Sequence, residues 1–424
     1  MLKSLMRSLS LWFSAVLAAV LLSSCGGDPA DPPITVRATA GENSVTLTWD
    51  NAEGVEYWIF YGLTSAAPTR TDNMQLWIGL PGGSVVLKAT SPYTIAGLAN
   101  GSSYSFTLNG RTNGGPGGPG STPITVTPRA AGTVWTANAA TGSTDLTTAV
   151  YGTVATTTTT PATLTPTYVA AGKGGALFTS TDATTWKAGT SGVTANINGG
   201  SYVNGAYALV GDGGLLLVST DAVTWTKQTT GSTQNLYGVA SNAYNLKVMV
   251  GAGGTILTSS DSGVTWTAVS SGTSADLYTV FYSPTGVWLA AGAGGTLLKS
   301  ADGAVWSAVA SNTSFALRSI AYGLTDATNA TYSFVAVGDN GTLLTSTDAS
   351  TWTAGDSGTS ADLRSVIYGS QFVMAARDGG IRYSTNAVTW TPATVPAAGA
   401  LNALIHGAYL YLAVGDAGSN WVSK

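Results

Sequence analysis

The chain has 424 residues, a formal charge of −4 and only 9% charged side chains, so it lacks the clustered Lys and Arg with which nucleic-acid binders displace counterions. Its abundant Gly, Ser, Thr and Ala, with scattered Trp and Tyr, suit short strands and tight turns; few segments carry the 3.6-residue apolar period of a helix. The length accommodates two or three domains with ample apolar material for cores.

Lys3 and Arg7 precede an apolar run, LWFSAVLAAVLL (11–22), which is short for a membrane span and reads as the hydrophobic region of a secretory leader. The run ends in LSSC (22–25), and Cys25 is the one cysteine of the chain. This motif resembles a bacterial lipobox. The resemblance implies a signal peptide over 1–24, lipidation of the Cys25 thiol, and a stable anchor made by several acyl chains. Gly26 after the cysteine implies sorting to the outer membrane, facing the periplasm or the cell surface. A lone cysteine leaves no intrachain disulfide. Residues 25–33, CGGDPADPP, read as a lipidated Gly/Pro tether.

From 34 to 129 the pattern is all β. SVTLTW (44–49) and SYSFTLNG (103–110) alternate, VEYWIFY (55–61) is aromatic and β-branched, and PITVTP (123–128) closes the unit. Trp49 at a strand end and Tyr104 in LANGSSY (98–104) resemble the buried indole and tyrosine corner of a fibronectin type III domain. That resemblance implies an antiparallel sandwich acting as a spacer or docking module. GGPGGPG (114–120) takes the place of the family's last hairpin and is expected to be a flexible loop.

Residues 130–424 repeat. STDATTW (180–186), STDAVTW (219–225), SSDSGVTW (259–266), SADGAVW (300–306), STDASTW (346–352) and STNAVTW (384–390) place their tryptophans 38 to 46 residues apart. A recurring unit of this length signals stacked β modules rather than a motif used once. Each repeat orders an apolar strand, a second strand, a Gly-rich turn such as GAGG (292–295), a third strand, an Asp turn and a Trp strand. Four antiparallel strands make one propeller blade. TVWTANAATGSTDL (133–146) resembles VTWTAVSSGTSADL (264–277), while the C-terminal LAVGDAGSNWVSK (412–424) stops before a Trp strand. The expected fold class is therefore all-β: a fibronectin type III-like sandwich plus a seven-bladed propeller closed by pairing of its first and last strands, which removes exposed edges. The insertion TVATTTTTPATLTPT (153–167) is expected to be a mobile loop.

The repeat is similar to the Asp box, or bacterial neuraminidase repeat, of sialidase-like propellers. The resemblance implies a structural turn-capping role for Asp182, Asp221, Asp261, Asp302, Asp348 and Asn386, and Trp side chains packed between blades. Sialidase chemistry does not carry over: the propeller has four arginines, Arg318, Arg364, Arg377 and Arg382, no glutamate, and no Phe-Arg-Ile-Pro motif. An extracytoplasmic glycosidase or polysaccharide lyase using Asp212, Asp339, Asp378 and Asp416, all in the second hairpins, is the alternative reading. His406, the single histidine, stands where other repeats have a strand tyrosine, and no Cys or His cluster suggests a metal or a cofactor. No catalytic residue is assigned.

One position is informative because it varies. Directly after the residue opening each first strand come Thr147, Asn198, Tyr237, Tyr278, Arg318, Arg364 and Asn402, expected to line the mouth of a central channel. Tyr237, Tyr278, Arg318, Arg364 and Asn402, with Arg377, are the candidate ligand-binding set: aromatic faces stack, and guanidinium groups make paired bonds to carboxylates. The repeat wording also resembles the photosystem II assembly-factor type of Asp-box propeller. Arg318 and Arg364 match the arginine position of that family, which holds partner proteins on a basic face. Here the face is otherwise expected to be poor in charge, so only partner binding carries over. The expected function is a surface-anchored, monomeric, non-enzymatic binding or scaffold lipoprotein for a protein or carbohydrate partner.

Overall fold

The computed structural model describes residues 29–156, 163–242, 244–396, 399–407 and 410–424. The leader over 1–24, Cys25 and the first part of the tether lie outside the described residues. Among the described residues no helix is long and apolar enough to cross a membrane. The chain divides into two units, one ending at Ala130 and one spanning Ala131–Lys424.

In the first unit a five-stranded sheet (Pro29–Ala30, Tyr104–Thr112, Val55–Leu63, Ser84–Ala89, with Ile124–Val126 beside Tyr104–Thr112) shares a core with a three-stranded one (Arg37–Gly41, Ser44–Thr48, Tyr93–Ala96). Alternation sends Val45, Leu47, Tyr57, Ile59, Phe106 and Leu108 into that core, where Trp49 meets Tyr57 edge-on. Tyr104 Oη accepts the Ala99 N–H at 3.1 Å. VEYWIFY is apolar on both faces because the outer face is covered too: Trp58, Phe60 and Trp77 form a second small core.

Two expectations are corrected here. The tether is not all spacer, since Pro29–Ala30 pairs with Gly110 and Arg111 at the sheet edge, a position where proline's missing N–H does no harm. The Gly/Pro stretch is not a free loop either. Gly118 N–H bonds Gly110 O at 3.0 Å and Gly120 N–H bonds Thr71 O at 2.7 Å, and a Cβ on Gly118 would stand 2.2 Å from Ala30 O. Its glycines permit close backbone approach rather than motion.

Among its described residues the second unit has seven four-stranded antiparallel sheets. Six are consecutive in sequence, with first strands Leu146–Thr156, Ile197–Val203, Leu236–Ser241, Leu277–Tyr282, Leu317–Asp326 and Leu363–Tyr368. The seventh takes Leu401–Gly407, Leu410–Gly415 and Asn420–Ser423 from the C-terminal end and Thr136–Ala137 from the start of the unit. Each first strand lies against the next, and the seventh lies against the first. The apolar cores follow suit. Each of seven clusters joins two neighbouring sheets and includes the Trp of the later one: Trp186, Trp225, Trp266, Trp306, Trp352, Trp390 and Trp135.

At the junction of the two ends, Gly132 N–H donates to Ser423 Oγ at 2.8 Å and Trp135 Nε1 donates to Gly132 O at 2.9 Å. Within one Asp turn the same pair of bonds runs from Gly303 N to Ser300 Oγ and from Trp306 Nε1 to Gly303 O. The seventh sheet thus rebuilds the turn without a peptide link across it. Ala131–Trp135 is pinned further by Gln371 Nε2 to Ala131 O, Trp135 N to Thr394 O and Thr394 N to Thr133 O, at 2.8 to 2.9 Å.

The expectation of a mobile loop over 153–167 is corrected as well. The strands Leu146–Thr156 and Thr163–Gly172 pair along their length, extending the first hairpin; 157–162 lies outside the described residues. Alternating Thr and apolar residues suit a strand, and composition alone read them as loop.

Candidate functional site

In all seven sheets of the second unit the pairing of first and second strands skips the residue after the opening Leu or Ile; the fifth sheet has a further irregularity between Leu324 and Asp326. The skipped residues are Thr147, Asn198, Tyr237, Tyr278, Arg318, Arg364 and Asn402. A bulge leaves its extra residue out of the ladder and re-aims the side chain. All seven line one cavity of about 540 Å³ bordered by the first strands of all seven sheets. The structure thus brings the sequence-derived ring together, and the repeated bulge is the backbone device that does so.

Around this mouth the chemistry differs from side to side. Arg318 makes a bidentate pair with Asp339, Nε to Oδ1 at 2.9 Å and Nη2 to Oδ2 at 2.7 Å, and its Cζ lies 4.1 Å from the Tyr278 ring centroid. Tyr278 packs on Tyr237 with centroids 5.6 Å apart. Arg364 donates to Asp362 at 3.0 Å and lies 3.6 Å from Asp339, leaving its buried Nε without a protein acceptor. Arg377 is in the second hairpin of the sixth sheet, reaching Asn402 Oδ1 at 3.3 Å and Asp416 at 3.7 Å. Asn402 Nδ2 donates to Leu146 O and Asp416 Oδ1, both at 2.8 Å, and Asn198 Nδ2 donates to Asp212 Oδ1 at 2.8 Å. Thr147 Oγ1 donates to Ile197 O.

These partners set the electrostatics. The hydrogen bonds from Arg318, backed by the charges of Arg318 and Arg364, hold the Asp339 carboxyl below its ordinary range against the opposing effect of burial. Burial lowers the Arg364 guanidinium, and repulsion from Arg318 adds to it. Burial raises the Tyr237 phenol. The hairpin carboxylates of the hydrolase alternative are all engaged: Asp212 by Asn196 and Asn198, Asp339 by Arg318, Asp416 by Asn402, and Asp378 by the Gly380 N–H.

The face is richer in charge than expected. Asp145, paired with Lys173 at 2.6 Å, and Asp276 and Asp362 also stand at the strand starts. Sequence reading passed over their role. Asp145, Asn196, Asn235, Asp276 and Asp362, each just before the opening Leu or Ile, accept a backbone N–H from the hairpin of the preceding sheet: Ala417, Gly174, Gly213, Gly253 and Asn340. The signal was present as TDL, ANI, QNL and ADL in the repeats.

A second ring was read from the sequence only in the match of His406 to a strand tyrosine. Tyr151, Tyr202, Tyr282, Tyr322, Tyr368 and His406 lie further along the first strands, each 4.6 to 5.0 Å from an aromatic of the second strand. Four of these rings, Tyr151, Tyr202, Tyr368 and His406, cover a glycine of the preceding sheet: a Cβ on Gly152 would fall 2.3 Å from Tyr202 and one on Gly407 2.1 Å from Tyr151. His406 sits in this packing position against Tyr411.

The Asp turns are at the other end of the third strands. Asp182 Oδ1 accepts the Ser180 hydroxyl and the Thr184 and Thr185 N–H groups at 2.7 to 2.9 Å. Asp221, Asp261, Asp302, Asp348 and Asn386 repeat this arrangement within their own turns. None reaches the mouth cavity. Among the described residues no group of three or more His, Cys, Asp or Glu is placed to hold a metal ion.

No family model and no curated protein matches the chain. Solved structures do. YCF48 from Cyanidioschyzon merolae is similar over 68% of this chain and 98% of its own, at 16% identity and a TM-score of 0.53. A structure of YCF48 bound to D1 peptide aligns over 68% and 96%, at 15% identity and 0.54. The WD40 β-propeller domain of Doa1 aligns over 69% and 97%, at 10% identity and 0.54. At these identities the likeness shows the fold: an all-β, propeller-like architecture.

Proposed function

We propose that the chain is a lipid-anchored, non-enzymatic binding or scaffold protein. In this reading Cys25 carries the anchor in an outer membrane and the first unit is a fibronectin type III-like spacer. A seven-bladed Asp-box propeller, closed by Thr136–Ala137 pairing with Asn420–Ser423, holds a protein partner at its channel mouth. One observation carries the binding reading: seven bulges aim one residue per sheet at a single cavity, and at that position the side chains run from Thr and Asn to Tyr and Arg while the opening Leu or Ile before it keeps its type. Variation on a repeated scaffold is how one site becomes specific. The mixture of guanidinium, carboxylate and phenol suits a polar peptide segment. The structure of YCF48 bound to D1 peptide, on a similar fold, supports a protein as partner over a glycan.

Selection of peptides from a displayed random library against the full chain tests the site. Binders are expected to lose about 10- to 100-fold in affinity against the Arg318→Ala/Arg364→Ala variant, the loss of one or two charge-assisted bonds. Equal affinity for both proteins moves the site elsewhere. Polysaccharide turnover that disappears in Asp212→Asn or Asp339→Asn overturns the non-enzymatic reading. Cys25→Ser is expected to release the chain from membranes or leave it unprocessed; normal cleavage with unchanged membrane retention refutes lipidation.

A further inference from the structure

The channel mouth divides in two by charge. Through the fifth, sixth and seventh sheets each guanidinium meets a carboxylate of this chain: Arg318 meets Asp339, Arg364 meets Asp362, and Arg377 lies 3.7 Å from Asp416. Across the second, third and fourth sheets stand Asp212 and Asp276, and among the described residues neither has an ion-pair partner. Tyr237, which lines the cavity, lies between them. Asp212 accepts the Asn198 amide at 2.8 Å, and that amide also reaches Leu236 O, next to Tyr237, at 3.1 Å. Asp276 stands two residues before Tyr278, whose ring packs on that of Tyr237 with centroids 5.6 Å apart. Burial raises the Tyr237 phenol against a bond with Asn235, and the charges of Asp276 and Asp212 raise it further, so both carboxylates act on this ring.

The hairpins leave room on this side. In the second, fifth and seventh sheets the mouth residue bonds the first residue of its own hairpin: Asn198 to Asp212, Arg318 to Asp339 and Asn402 to Asp416. In the third and fourth sheets that hairpin residue is Ala252 or Ala293, whose methyl group offers no such bond and fills little space. The neighbouring sheet shows what a surface of this kind takes. Arg318 lays its guanidinium over Tyr278, Cζ 4.1 Å from the ring centroid, with Asp339 as counter-charge. Tyr237 offers an aromatic face in the field of two carboxylates, and among the described residues no cation lies over it. The face of an aromatic ring attracts cations. An anion there would meet repulsion from Asp212 and Asp276 as well as from the ring, and a neutral group would gain from neither.

We propose that the Tyr237 side of the mouth is a subsite for a basic side chain, Lys or Arg, of the protein partner. The ring of Tyr237 is the contact, and Asp212 and Asp276 supply the field that selects positive charge. That the cation belongs to a protein rests on the partner reading; the subsite itself rests on these three residues.

Fluorescence polarisation of labelled hexalysine, hexaglycine and hexaglutamate against the full chain at low salt tests it. Hexalysine is expected to bind saturably, at least about tenfold tighter than the other two. Asp212→Asn/Asp276→Asn is expected to weaken hexalysine at least about fivefold. Tyr237→Ala is expected to weaken it at least about threefold, while Tyr237→Phe, which keeps the aromatic face, binds as the parent does. Asp221→Asn/Asp302→Asn removes the same charge from the Asp turns and is expected to change binding by less than about twofold; it separates a subsite from general attraction to a chain of net charge −4. Equal weakening by the two double variants, or hexalysine binding no tighter than hexaglycine, overturns the subsite. Hexalysine that behaves as expected, while no library-selected peptide depends on Arg318 and Arg364, supports the subsite and overturns the partner reading alone.

Discussion

At one end of the sheets in the second unit the Asp turns keep the same side chains, Ser then Asp, five times over, with Asn386 the one substitution. At the other end, the bulge position runs through Thr, Asn, Tyr and Arg. Both positions repeat in backbone geometry. The difference teaches how the scaffold divides its labour: where the side chain serves its own turn's N–H groups, the sequence is held, and where the backbone throws the side chain out of the ladder, the sequence is free to diverge.

The most drastic way to break the comparison is to alter the backbone that both ends share. Gly214, at φ +75°, closes the hairpin after Gly211, and a Cβ there would stand 1.9 Å from Ser232 O. Gly214→Ala is expected to cost more than about 3 kcal/mol, measured by denaturant unfolding, because neither the left-handed geometry nor the contact can relax cheaply. Next comes a direct contrast of the two ends. Asp182→Ala is expected to cost about 1 kcal/mol, the cost of a lost cap. Arg364→Ala is expected to change stability by less than about 0.5 kcal/mol, since it leaves the Arg318–Asp339 pair in place. A larger cost for the arginine would make the mouth a structural element.

Acid sharpens the same contrast. Burial pushes the Asp221 carboxyl up, but the N–H groups of Thr224 and Val223 and the Ser219 hydroxyl outweigh it and hold it at about 2. A carboxyl lowered on folding stabilises above its unfolded value, about 3.9, and loses that contribution as pH falls through the folded value. Stability is therefore expected to fall between about pH 4 and pH 2, less steeply in Asp221→Asn and more steeply in Asn386→Asp, which adds a carboxyl to the turn that lacks one. Denaturant midpoints across that window read it; parallel curves for all three proteins would remove the carboxylates from the account. The smallest effect belongs to Ala222, which is buried at φ +59°. Ala222→Gly relieves left-handed strain and deletes a packed methyl, so the two nearly cancel, within about 0.5 kcal/mol by thermal melting.

The repeat was legible because each sheet must bury one Trp against the sheet before it, which stamps a period on the chain. The ring at the mouth was legible for a related reason: it follows the buried Leu or Ile that opens every first strand of the second unit. The bulge itself was not, because a skipped residue leaves no mark in apolar alternation. Nor were the pairings of Asp212, Asp339 and Asp416, whose partners stand 14 to 21 residues away across a hairpin. In the first unit, Gly and Pro have two opposite uses, flexibility and close approach, and composition does not separate them.

The rebuilt turn at Gly132 and Ser423 has a mechanical consequence. Tension transmitted from the first unit enters the second along Ala131–Trp135, the segment that leads into the strand completing the seventh sheet. Among the described residues the strand pairing there is short, Thr136–Ala137 on Trp421–Val422 beside a single parallel bridge of Val134 to Thr394, and alone it would peel one bond at a time. The bonds from Gln371, Thr394 and Ser423 spread the pull over the sixth and seventh sheets together. A pull on Ala131–Trp135 is therefore met by bonds to two sheets at once rather than by one short strand pair.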